Sequence, residues 1–436
     1  MICGIFCFFY SVVLLAITVL FLPLIFVHLC FTPKHREGLL QKMGFYPIFL
    51  YRKLRKKDTV WVHCVSVGEF LAAEPLIEKI KTNFPNQQLV ITTTTRTGQK
   101  LADKNWGHRA VILYAPFDYF YAVGLFYFFV RPKAIVIMET EIWPALIALA
   151  PCPILLANAR LSKKSLGNYK KIAFFLKPFL KKISYVLCQT DEDKSRFETI
   201  GFSAKSLYVI GQLKYEAAIT NKEKVQESTL LDVSTKETIT LLAASTHDPE
   251  EELFLKVYEE IARKSSKKWD LILVPRHPER SSQVVEQVKE KKMSYVTYSE
   301  LKKSLTKTWT QDVCVIDTIG DLFKMYAFSD IVIIGGSFIP RGGQNPLEAA
   351  VWEKPIICGP YMFNFDKIVK DFLSHEALLQ VEDEKDLKEK LTLWEQNEEL
   401  RVKIGKRAGA CVRKSKGISQ TICDRFLKNM IDGEVL

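Results

Sequence analysis

The sequence predicts an α/β protein made of two doubly wound halves and preceded by a membrane-spanning segment. Three features support this prediction. Short apolar, β-rich runs alternate with amphipathic stretches from Thr59 onward, a polar interval interrupts them at 221–237, and residues 1–33 carry no charged side chain. Parallel strands joined by crossover helices produce such alternation, because strands buried on both faces appear as continuous apolar runs.

The apolar opening predicts a membrane anchor over residues 1–33. No Asp, Glu, Lys or Arg precedes Lys34, and the run exceeds the roughly 20 apolar residues that span a bilayer. A cleaved signal peptide fits less well, because a basic n-region and an A-x-A site are missing. The basic cluster "YRKLRKKD" (51–58) follows, so the positive-inside rule predicts that the remaining chain is cytoplasmic. This cluster is either a solvated linker or a patch that touches anionic headgroups.

Composition excludes a disordered chain and a disulfide framework. The formal charge of +12 suits nucleic acid, an anionic membrane or an anionic substrate, and charge alone does not choose among them. The ten cysteines are scattered without a C-x-x-C pair, which indicates a reduced cytosolic body. Since the seven histidines do not cluster either, no dedicated metal site is expected.

The alternation of apolar runs predicts the domain boundaries. Seven runs from "TVWVHCVSVG" to "SLYVIG" predict a first domain over 34–220, and "NKEKVQESTLLDVSTKE" predicts a linker over 221–237. Six further runs from "TITLLAAS" to "KPIICGP" predict a second domain over 238–436, which ends in a charged helical tail. Ligands of open α/β sheets bind at the carboxyl ends of strands, so the polar residues that follow these runs are the candidate site.

Carboxylates follow two strands of the first half. Glu69 in "VSVGEFLAAEPL" is either a first-turn acid that favours the helix dipole or a general base at a strand-to-helix turn. Glu139 and Glu141 in "VIMETEIWP" are two residues apart, so in an extended backbone both would point into one cleft. The alternative interpretation of Glu139 and Glu141 is that they belong to a capped helix start with Pro144 in its first turn. Lys214 in "GQLKYE" is a surface lysine or a cation that faces a negative leaving group.

Anion-binding features follow the strands of the second half. Arg276 in "ILVPRHPER" offers a guanidinium fork for phosphate, with a proline-forced turn as the alternative. In "GGQNPLEAA", Asn345 is a predicted N-cap, Pro346 the first helical residue and Glu348 a capping-box acid. Free N–H groups at such a helix start would bind an anion. The stretch matches neither a G-x-G-x-x-G nor a Walker A sequence.

The motifs "REGLLQKMG", "HCVSVGEFLAAEPL", "TTTTRTGQ", "METEIWP", "GQLKYE", "PRHPER", "DTIGDLF" and "GGSFIPRGGQNPLEAA" occur in this order along nearly the whole chain. In this respect the chain resembles the 3-deoxy-D-manno-octulosonic acid (Kdo) transferases. The resemblance implies a GT-B fold, with an N-terminal transmembrane helix and two Rossmann-like domains facing a cleft. It further implies inverting transfer of Kdo from CMP-Kdo to a lipid A precursor, at the cytoplasmic face of the bacterial inner membrane and without a metal ion or other cofactor.

The same resemblance implies roles for individual residues. Glu69 would be the proton acceptor, and Glu139 and Lys214 would stabilise the transition state. The implied CMP contacts are Arg276, His277, Ile319, Gly320, Asp321, Asn345, Pro346, Leu347 and Glu348. The chain departs from the family pattern at Gln344, where His is common, and at Ser281, where an aromatic is common, so donor contacts near them are in doubt.

Other readings of the sequence stay open. One is a membrane-associated GT-B transferase that uses a UDP-sugar and a lipid acceptor, and another is a membrane-tethered nucleotide-binding scaffold without catalysis. Nucleic-acid binding fits least, because the basic residues cluster beside the membrane segment and are not interleaved with aromatics. Members of the resembling family add one, two or more Kdo residues, and neither this number nor the oligomeric state follows from the motifs.

Overall fold

The computed structural model describes residues 37–54, 58–225, 238–304 and 310–434, together with residues 10, 12–14, 16 and 20. Most of the predicted anchor (1–33) and of the predicted linker (221–237) lies outside this described part. Across the described residues, no helix has the length and apolar character needed to cross a membrane. The chain divides into a first unit, residues 1–217 with 417–436, and a second unit, residues 218–416.

The first unit contains a seven-stranded parallel sheet in the order β3-β2-β1-β4-β5-β6-β7. Its strands are β1 (Thr59–Cys64), β2 (Gln88–Thr93), β3 (Val111–Tyr114), β4 (Pro132–Met138), β5 (Ile154–Ala159), β6 (Ile183–Cys188) and β7 (Leu207–Val209). Its helices are α1 (Leu39–Lys42), α2 (Ile48–Leu54), α3 (Val67–Asn83), α4 (Arg96–Trp106), α5 (Phe120–Val130), α6 (Pro144–Leu149), α7 (Lys163–Leu180), α8 (Asp191–Ile200) and α9 (Leu213–Lys224), the last of which contains the boundary between the units.

Helices cover both faces of this sheet. Because successive strand residues point to opposite faces, Trp61 packs with α2, α5, α6 and α7, whereas Val60 and Val62 pack with α3 and α4. Trp61 is fully buried against Phe126, with ring centroids 4.6 Å apart, and its Nε1–H donates to Thr92 Oγ1 at 2.8 Å. The first sheet is therefore a buried central layer, as its apolar runs predicted.

The C-terminal tail belongs to the first unit. It forms α18 (Ile418–Ile422), a π-helical turn (Cys423–Leu427) and α19 (Lys428–Asp432). Phe426 packs against Tyr185 and Tyr208, with ring centroids 5.1 and 5.0 Å apart, and the buried Glu216 carboxylate accepts from the Gly417 and Ser419 N–H groups. The prediction that the second domain extends to residue 436 is wrong on this point, since the apolar side of the tail contacts the first core.

The second unit contains another seven-stranded parallel sheet, in the order β10-β11-β9-β8-β12-β13-β14. Its strands are β8 (Thr238–Thr246), β9 (Lys268–Pro275), β10 (Tyr295–Thr297), β11 (Val313–Val315), β12 (Ile331–Ile334), β13 (Ile356–Cys358) and β14 (Leu379–Gln380). Its helices are α10 (Glu250–Lys264), α11 (Ser281–Glu290), α12 (Tyr298–Lys303), α13 (Leu322–Phe328), α14 (Leu347–Val351), α15 (Asp366–Ser374), α16 (Glu384–Gln396) and α17 (Glu398–Arg413). Two parallel α/β sheets are thus confirmed. The short strand β14 was not predicted.

Replacing Phe426 with alanine should lower the free energy of unfolding of the first unit by about 3–5 kcal/mol, because it removes a buried aromatic side chain. Hydrogen exchange of the full-length protein should become faster in β6 and β7 and stay unchanged in β8 and β9. Leu393→Ala, at an exposed position of α16, is the matched control and should cost less than about 0.5 kcal/mol. Equal loss of protection in both sheets would contradict the assignment of the tail.

Candidate active site

The winding of the first sheet reverses between β1 and β4. Because β1 is followed by β2 on one side and neighbours β4 on the other, the loops leaving their carboxyl ends diverge and open a crevice. The segment Ser66 to Glu69 follows β1, and Glu139 to Glu141 follow β4. The predicted acids of the first half therefore lie at the point where this fold class binds ligands.

Glu69 is the third residue of α3 and turns back toward the end of β1. The N-cap Ser66 Oγ accepts from the Glu69 N–H and donates to Glu69 Oε1 at 3.1 Å, while the Val65 N–H donates to Oε2 at 2.8 Å. Burial raises the pKa of Glu69 to about 7, and the nearby Glu139 and Glu141 charges add to this, whereas the bonds from Val65 and Ser66 lower it. A carboxyl with this pKa exchanges a proton readily near neutral pH.

Glu139 has a left-handed backbone, with φ of 56°. Such a conformation costs a non-glycine residue roughly 1–2 kcal/mol and often marks a functional site. Its N–H donates to the Ala157 carbonyl at 2.8 Å, and its carboxylate accepts from Arg160 Nε at 2.9 Å and lies 3.3 Å from Lys214 Nζ. Two cations thus meet on this acid, Arg160 from the loop after β5 and Lys214 from the first turn of α9.

Glu141 lies beside Glu139 but uses its carboxylate differently. Its Oε2 accepts from Trp143 Nε1 at 2.7 Å, and its pKa is raised by burial and by the Glu139 charge. The prediction of an extended backbone through both acids is wrong, because β4 ends at Met138 and Glu139 is left-handed. The electrostatic coupling of Glu69, Glu139 and Glu141 nevertheless places the three carboxyls in one cluster.

Arg160 and Asn158 complete this cluster and were missed in the sequence. Asn158 is buried with φ of 55°, and its Oδ1 accepts from the Leu213 N–H at 3.1 Å, which fixes the backbone next to Lys214. Both residues stand in "ILLANAR", directly after an apolar run. The other motifs were found because polar residues that follow a strand are site candidates, and the same criterion would have found these two residues.

Asp118 holds the helix that follows the acid loop. Its two carboxylate oxygens accept from the Ala145 and Leu146 N–H groups at 3.1 and 2.8 Å, at the start of α6. Burial raises the pKa of Asp118 to about 6, and these hydrogen bonds oppose the rise. Asp118 therefore fixes the backbone just after Glu141 from a neighbouring loop.

The second sheet reverses its winding between β8 and β12, and a buried acid orders the loops there. Glu250 accepts from the His247, Gly336 and Phe338 N–H groups at 3.0, 2.6 and 3.0 Å. Gly335 is required, since a Cβ would lie 2.4 Å from the Ser245 carbonyl oxygen. The acid run "DPEEE" follows an apolar run, so the same rule would have found Glu250 too.

Arginine and histidine side chains gather around the loop that follows β12, residues 335–344, called the glycine loop below. The His247 ring lies 5.8 Å from the His277 ring, and its Nε2 is 3.4 Å from Gln344 Nε2. The pKa of His247 is lowered mainly by burial and further by the charges of His277, Arg341 and Arg276. Since cations repel a proton here, the same place favours an anion.

The predicted Asn345 and Glu348 contacts meet Arg276 in this region. Asn345 Oδ1 accepts from the Leu347 N–H at 3.2 Å, although the helix begins at Leu347, one residue later than predicted. Burial raises the pKa of the half-buried Glu348 to about 7, against a hydrogen bond from Asn345 and the charge of Arg276. The two ends of the Asn345 amide thus cap the helix and bind the acid.

The remaining predicted contacts form the turn before α13. Ile319 is 88% exposed, Gly320 has φ of 88°, and Asp321 accepts from Thr318 Oγ1 at 2.6 Å and lies 3.2 Å from Lys302 Nζ. The turn leads into α13. Burial raises the pKa of Tyr326 on this helix, and the nearby Glu348 charge raises it further. Ser281, where the family commonly has an aromatic residue, is the first residue of α11.

No group of three or more His, Cys, Asp or Glu side chains that could hold a metal ion occurs in the described ranges of the chain. The cationic side chains described above are those of Lys and Arg.

Comparison with known proteins adds to this geometry. A family model described as 3-deoxy-D-manno-octulosonic-acid transferase (kdotransferase) matches residues 37–217. A 3-deoxy-D-manno-octulosonic acid transferase of Haemophilus influenzae is 32% identical over 433 residues, covering 98% of this chain and 99% of the relative. One of Bordetella pertussis is 32% identical over 335 residues, covering 74% and 76%.

Solved structures share the fold. The UDP-GlcNAc 2-epimerase of Neisseria meningitidis has a TM-score of 0.58 at 14% identity, covering 85% of this chain and 100% of its own. A glycosyltransferase of Rickettsia africae has a TM-score of 0.51 at 13% identity, covering 86% and 98%. These likenesses support the two-unit α/β fold of GT-B type. The relative that matches along its full length establishes that the chain is an enzyme that belongs to the 3-deoxy-D-manno-octulosonic acid transferase family.

Proposed function

We propose that the enzyme transfers Kdo from CMP-Kdo to a sugar hydroxyl of a lipid A precursor, with inversion at the anomeric carbon. The observation that carries this proposal is Glu69, a buried carboxyl with a pKa of about 7 at the edge of the first sheet. A base with this pKa is half ionised at neutral pH, which suits the removal of a hydroxyl proton. Relatives named as Kdo transferases support the choice of Kdo as the transferred sugar.

In the proposed reaction Glu69 takes the proton of the acceptor hydroxyl. The hydroxyl oxygen then bonds to the anomeric carbon of Kdo as the bond from that carbon to the CMP phosphate oxygen breaks. CMP leaves with the electron pair, and the proton stays on Glu69. Glu139 and Lys214, 3.3 Å apart, stabilise the charges that develop during the displacement.

The second unit is the proposed donor site. Arg276, His277 and Arg341 surround the glycine loop, so they attract the nucleotide phosphate. Glu348, oriented by Asn345, accepts from the ribose hydroxyls, and the exposed Ile319 offers apolar contact to the base. Pro346, Leu347, Gly320 and Asp321 complete the set by shaping the two turns.

We further propose that no metal ion takes part. The leaving group is an anion, and the guanidinium groups of Arg276 and Arg341 beside the glycine loop supply the positive charge that it requires. Residues 1–33 are the proposed anchor in the bacterial inner membrane, with catalysis on the cytoplasmic side, as the uncharged opening and the basic cluster behind it indicate.

Purified full-length protein incubated with CMP-Kdo and a lipid A precursor should yield Kdo-bearing product by mass spectrometry, including after treatment with a chelator. The number of added residues is read from the same spectrum. Turnover with a UDP-sugar, and none with CMP-Kdo, would contradict the proposed donor.

Glu69→Gln should lower kcat by about 10²–10⁴, because the amide cannot accept the hydroxyl proton. Wild-type kcat/KM should rise with pH through about 7, where Glu69 loses its proton. The same titration destabilises the fold: a pKa raised from 4.5 to about 7 gives stability that is present below 4.5 and lost as pH rises through 7.

The Glu69→Gln variant should therefore be more stable than wild type by ~3 kcal/mol at pH 8 and about equal to it at pH 4.5. Chemical denaturation at both values checks this. Thr82→Val, on the exposed end of α3, is the control and should leave kcat and its pH dependence unchanged. Unchanged turnover in Glu69→Gln would remove the general base from the mechanism.

Glu348→Gln should weaken CMP binding about tenfold, a loss of roughly 1.4 kcal/mol, because a ribose hydroxyl bonds more weakly to an amide than to a carboxylate. Titration calorimetry with CMP measures this change in affinity. Glu389→Gln, at an exposed position of α16, is the control. Unaltered affinity together with a lower melting temperature would show that Glu348 only supports the helix start.

A further inference from the structure

Arg160 brings a guanidinium group to the cluster of Glu69, Glu139 and Glu141, and only one of its nitrogens is used there. Its Nε–H donates to Glu139 Oε2 at 2.9 Å, while Lys214 Nζ lies 3.3 Å from Oε1, the other oxygen of the same carboxylate. Across the residues that the structure describes, the Nη1 and Nη2 groups of Arg160 have no hydrogen-bond partner. The side chain is 49% exposed, so these groups are open to a ligand.

Two other arginines of the first unit use their terminal nitrogens within the fold. Arg109 donates from Nη1 and Nη2 to the two carboxylate oxygens of Glu78. Arg196 donates from Nη1 to the carbonyl oxygen of Leu161. A guanidinium carries five N–H groups in a planar fork, which matches the two oxygens of a carboxylate with two parallel bonds. Arg160 therefore keeps its best oxyanion-binding groups for a partner outside the fold.

The backbone that carries Arg160 is fixed from two neighbouring loops. The Asp193 carboxylate accepts from the Leu161 N–H at 2.9 Å, and Arg196 donates to the Leu161 carbonyl oxygen at 2.6 Å. From the loop after β4, the Thr140 hydroxyl donates to the Arg160 carbonyl oxygen. Asp193 and Arg196 are buried, so the loop after β5 keeps its shape without a ligand. A side chain on such a backbone binds a ligand with little loss of conformational freedom.

The sugar that this enzyme family transfers is itself an acid. Kdo is an octulosonic acid, so a carboxylate is bonded directly to the anomeric carbon at which the displacement takes place. In the proposed reaction that carbon bonds to the oxygen whose proton Glu69 removes, which brings the sugar carboxylate to the acid cluster. The charges of Glu139 and Glu141 are close to Glu69 and would repel this carboxylate. A cation with free donors is required there.

We propose that Arg160 binds the carboxylate of the transferred sugar through its Nη groups and thereby selects an acidic sugar over a neutral one. Glu139 holds the guanidinium through Nε, and the sugar carboxylate takes the remaining N–H groups. Lys214 carries a point charge without a planar fork, and its place on the other Glu139 oxygen leaves the fork of Arg160 to the substrate. The inference rests on the proposed function, because it takes Kdo as the transferred sugar and Glu69 as the base.

Donor binding in the Glu69→Gln background, where transfer is too slow to consume the donor, tests this inference. Adding Arg160→Gln should weaken CMP-Kdo binding about tenfold by titration calorimetry and leave CMP binding unchanged, because CMP has no carboxylate. Arg109→Gln removes a guanidinium that is paired with Glu78 in the same unit, so it is the matched control and should change neither affinity. Unchanged CMP-Kdo affinity in the Arg160 variant would overturn the inference.

Turnover of a modified donor separates carboxylate binding from mere support of Glu139. In this donor a carboxamide replaces the Kdo carboxylate, which keeps the shape and removes the charge. Wild type should prefer CMP-Kdo over the carboxamide about thirtyfold in kcat/KM, and Arg160→Gln should reduce this preference to about threefold. The intrinsic reactivities of the two donors differ equally for both enzymes, so they cancel when the two preferences are compared. Arg109→Gln should keep the wild-type preference.

Four results bear against these expectations or decide a difficult case. Equal loss of turnover with both donors in Arg160→Gln would overturn the inference and leave Arg160 as a support of Glu139. An unchanged donor preference with a raised KM for the acceptor would overturn it too, and would place an anionic group of the acceptor at Arg160. If Arg160→Gln is too slow to measure, the preference of Arg160→Lys decides, because lysine keeps the charge and lacks the fork. No turnover of CMP-Kdo by wild type would remove the proposed function and this inference together.

Discussion

The reversal of winding in each parallel sheet is the constraint on which the rest of this structure depends. A parallel sheet sends every crossover helix to one face or the other, and only where the direction changes do the loops part. In the first unit that place lies between β1 and β4, and in the second between β8 and β12. Glu69 and Glu139 occupy the first crevice edge, and the glycine loop with Arg276 occupies the second. The candidate site residues thereby fall on two short stretches of sheet edge, and the remaining strand residues are free to be apolar.

Buried carboxylates have two different roles in this protein. Glu216 accepts three hydrogen bonds from Gly417 and Ser419, and Glu250 accepts three backbone N–H groups, so both fix neighbouring segments. Glu69 is also bonded, but the like charges of Glu139 and Glu141 lie close to it. Like charges and burial favour the protonated form, whereas N–H donors favour the ionised form. At Glu69 burial and like charges outweigh the N–H donors, and the pKa of this acid is therefore raised to about 7.

Much of this architecture could be predicted because it depends on short-range patterns. Apolar runs identified the strands, and residues directly after the runs identified Glu69, Glu139 and Arg276. What could not be predicted depends on contacts between distant parts of the chain. The tail at 417–436 follows the second unit in sequence but packs with Tyr185 and Tyr208. The left-handed backbone of Glu139 could not be predicted either. Glycine is the residue that commonly indicates this conformation, and glutamate rarely adopts it.

The excess positive charge, which composition alone assigned to no partner, lies in two different surroundings. Arg276, His277 and Arg341 surround the glycine loop, where a nucleotide phosphate is proposed to bind. The seven lysines of residues 163–182 stand beside exposed aromatic and aliphatic side chains instead. A phosphate within a protein site requires few cations with defined hydrogen-bond geometry, so arginine and histidine suit it. The lysines of residues 163–182 carry no planar fork, so they supply net charge without that geometry. The two groups of cations therefore differ in the kind of interaction that they can make, and only the first has the geometry of a phosphate site.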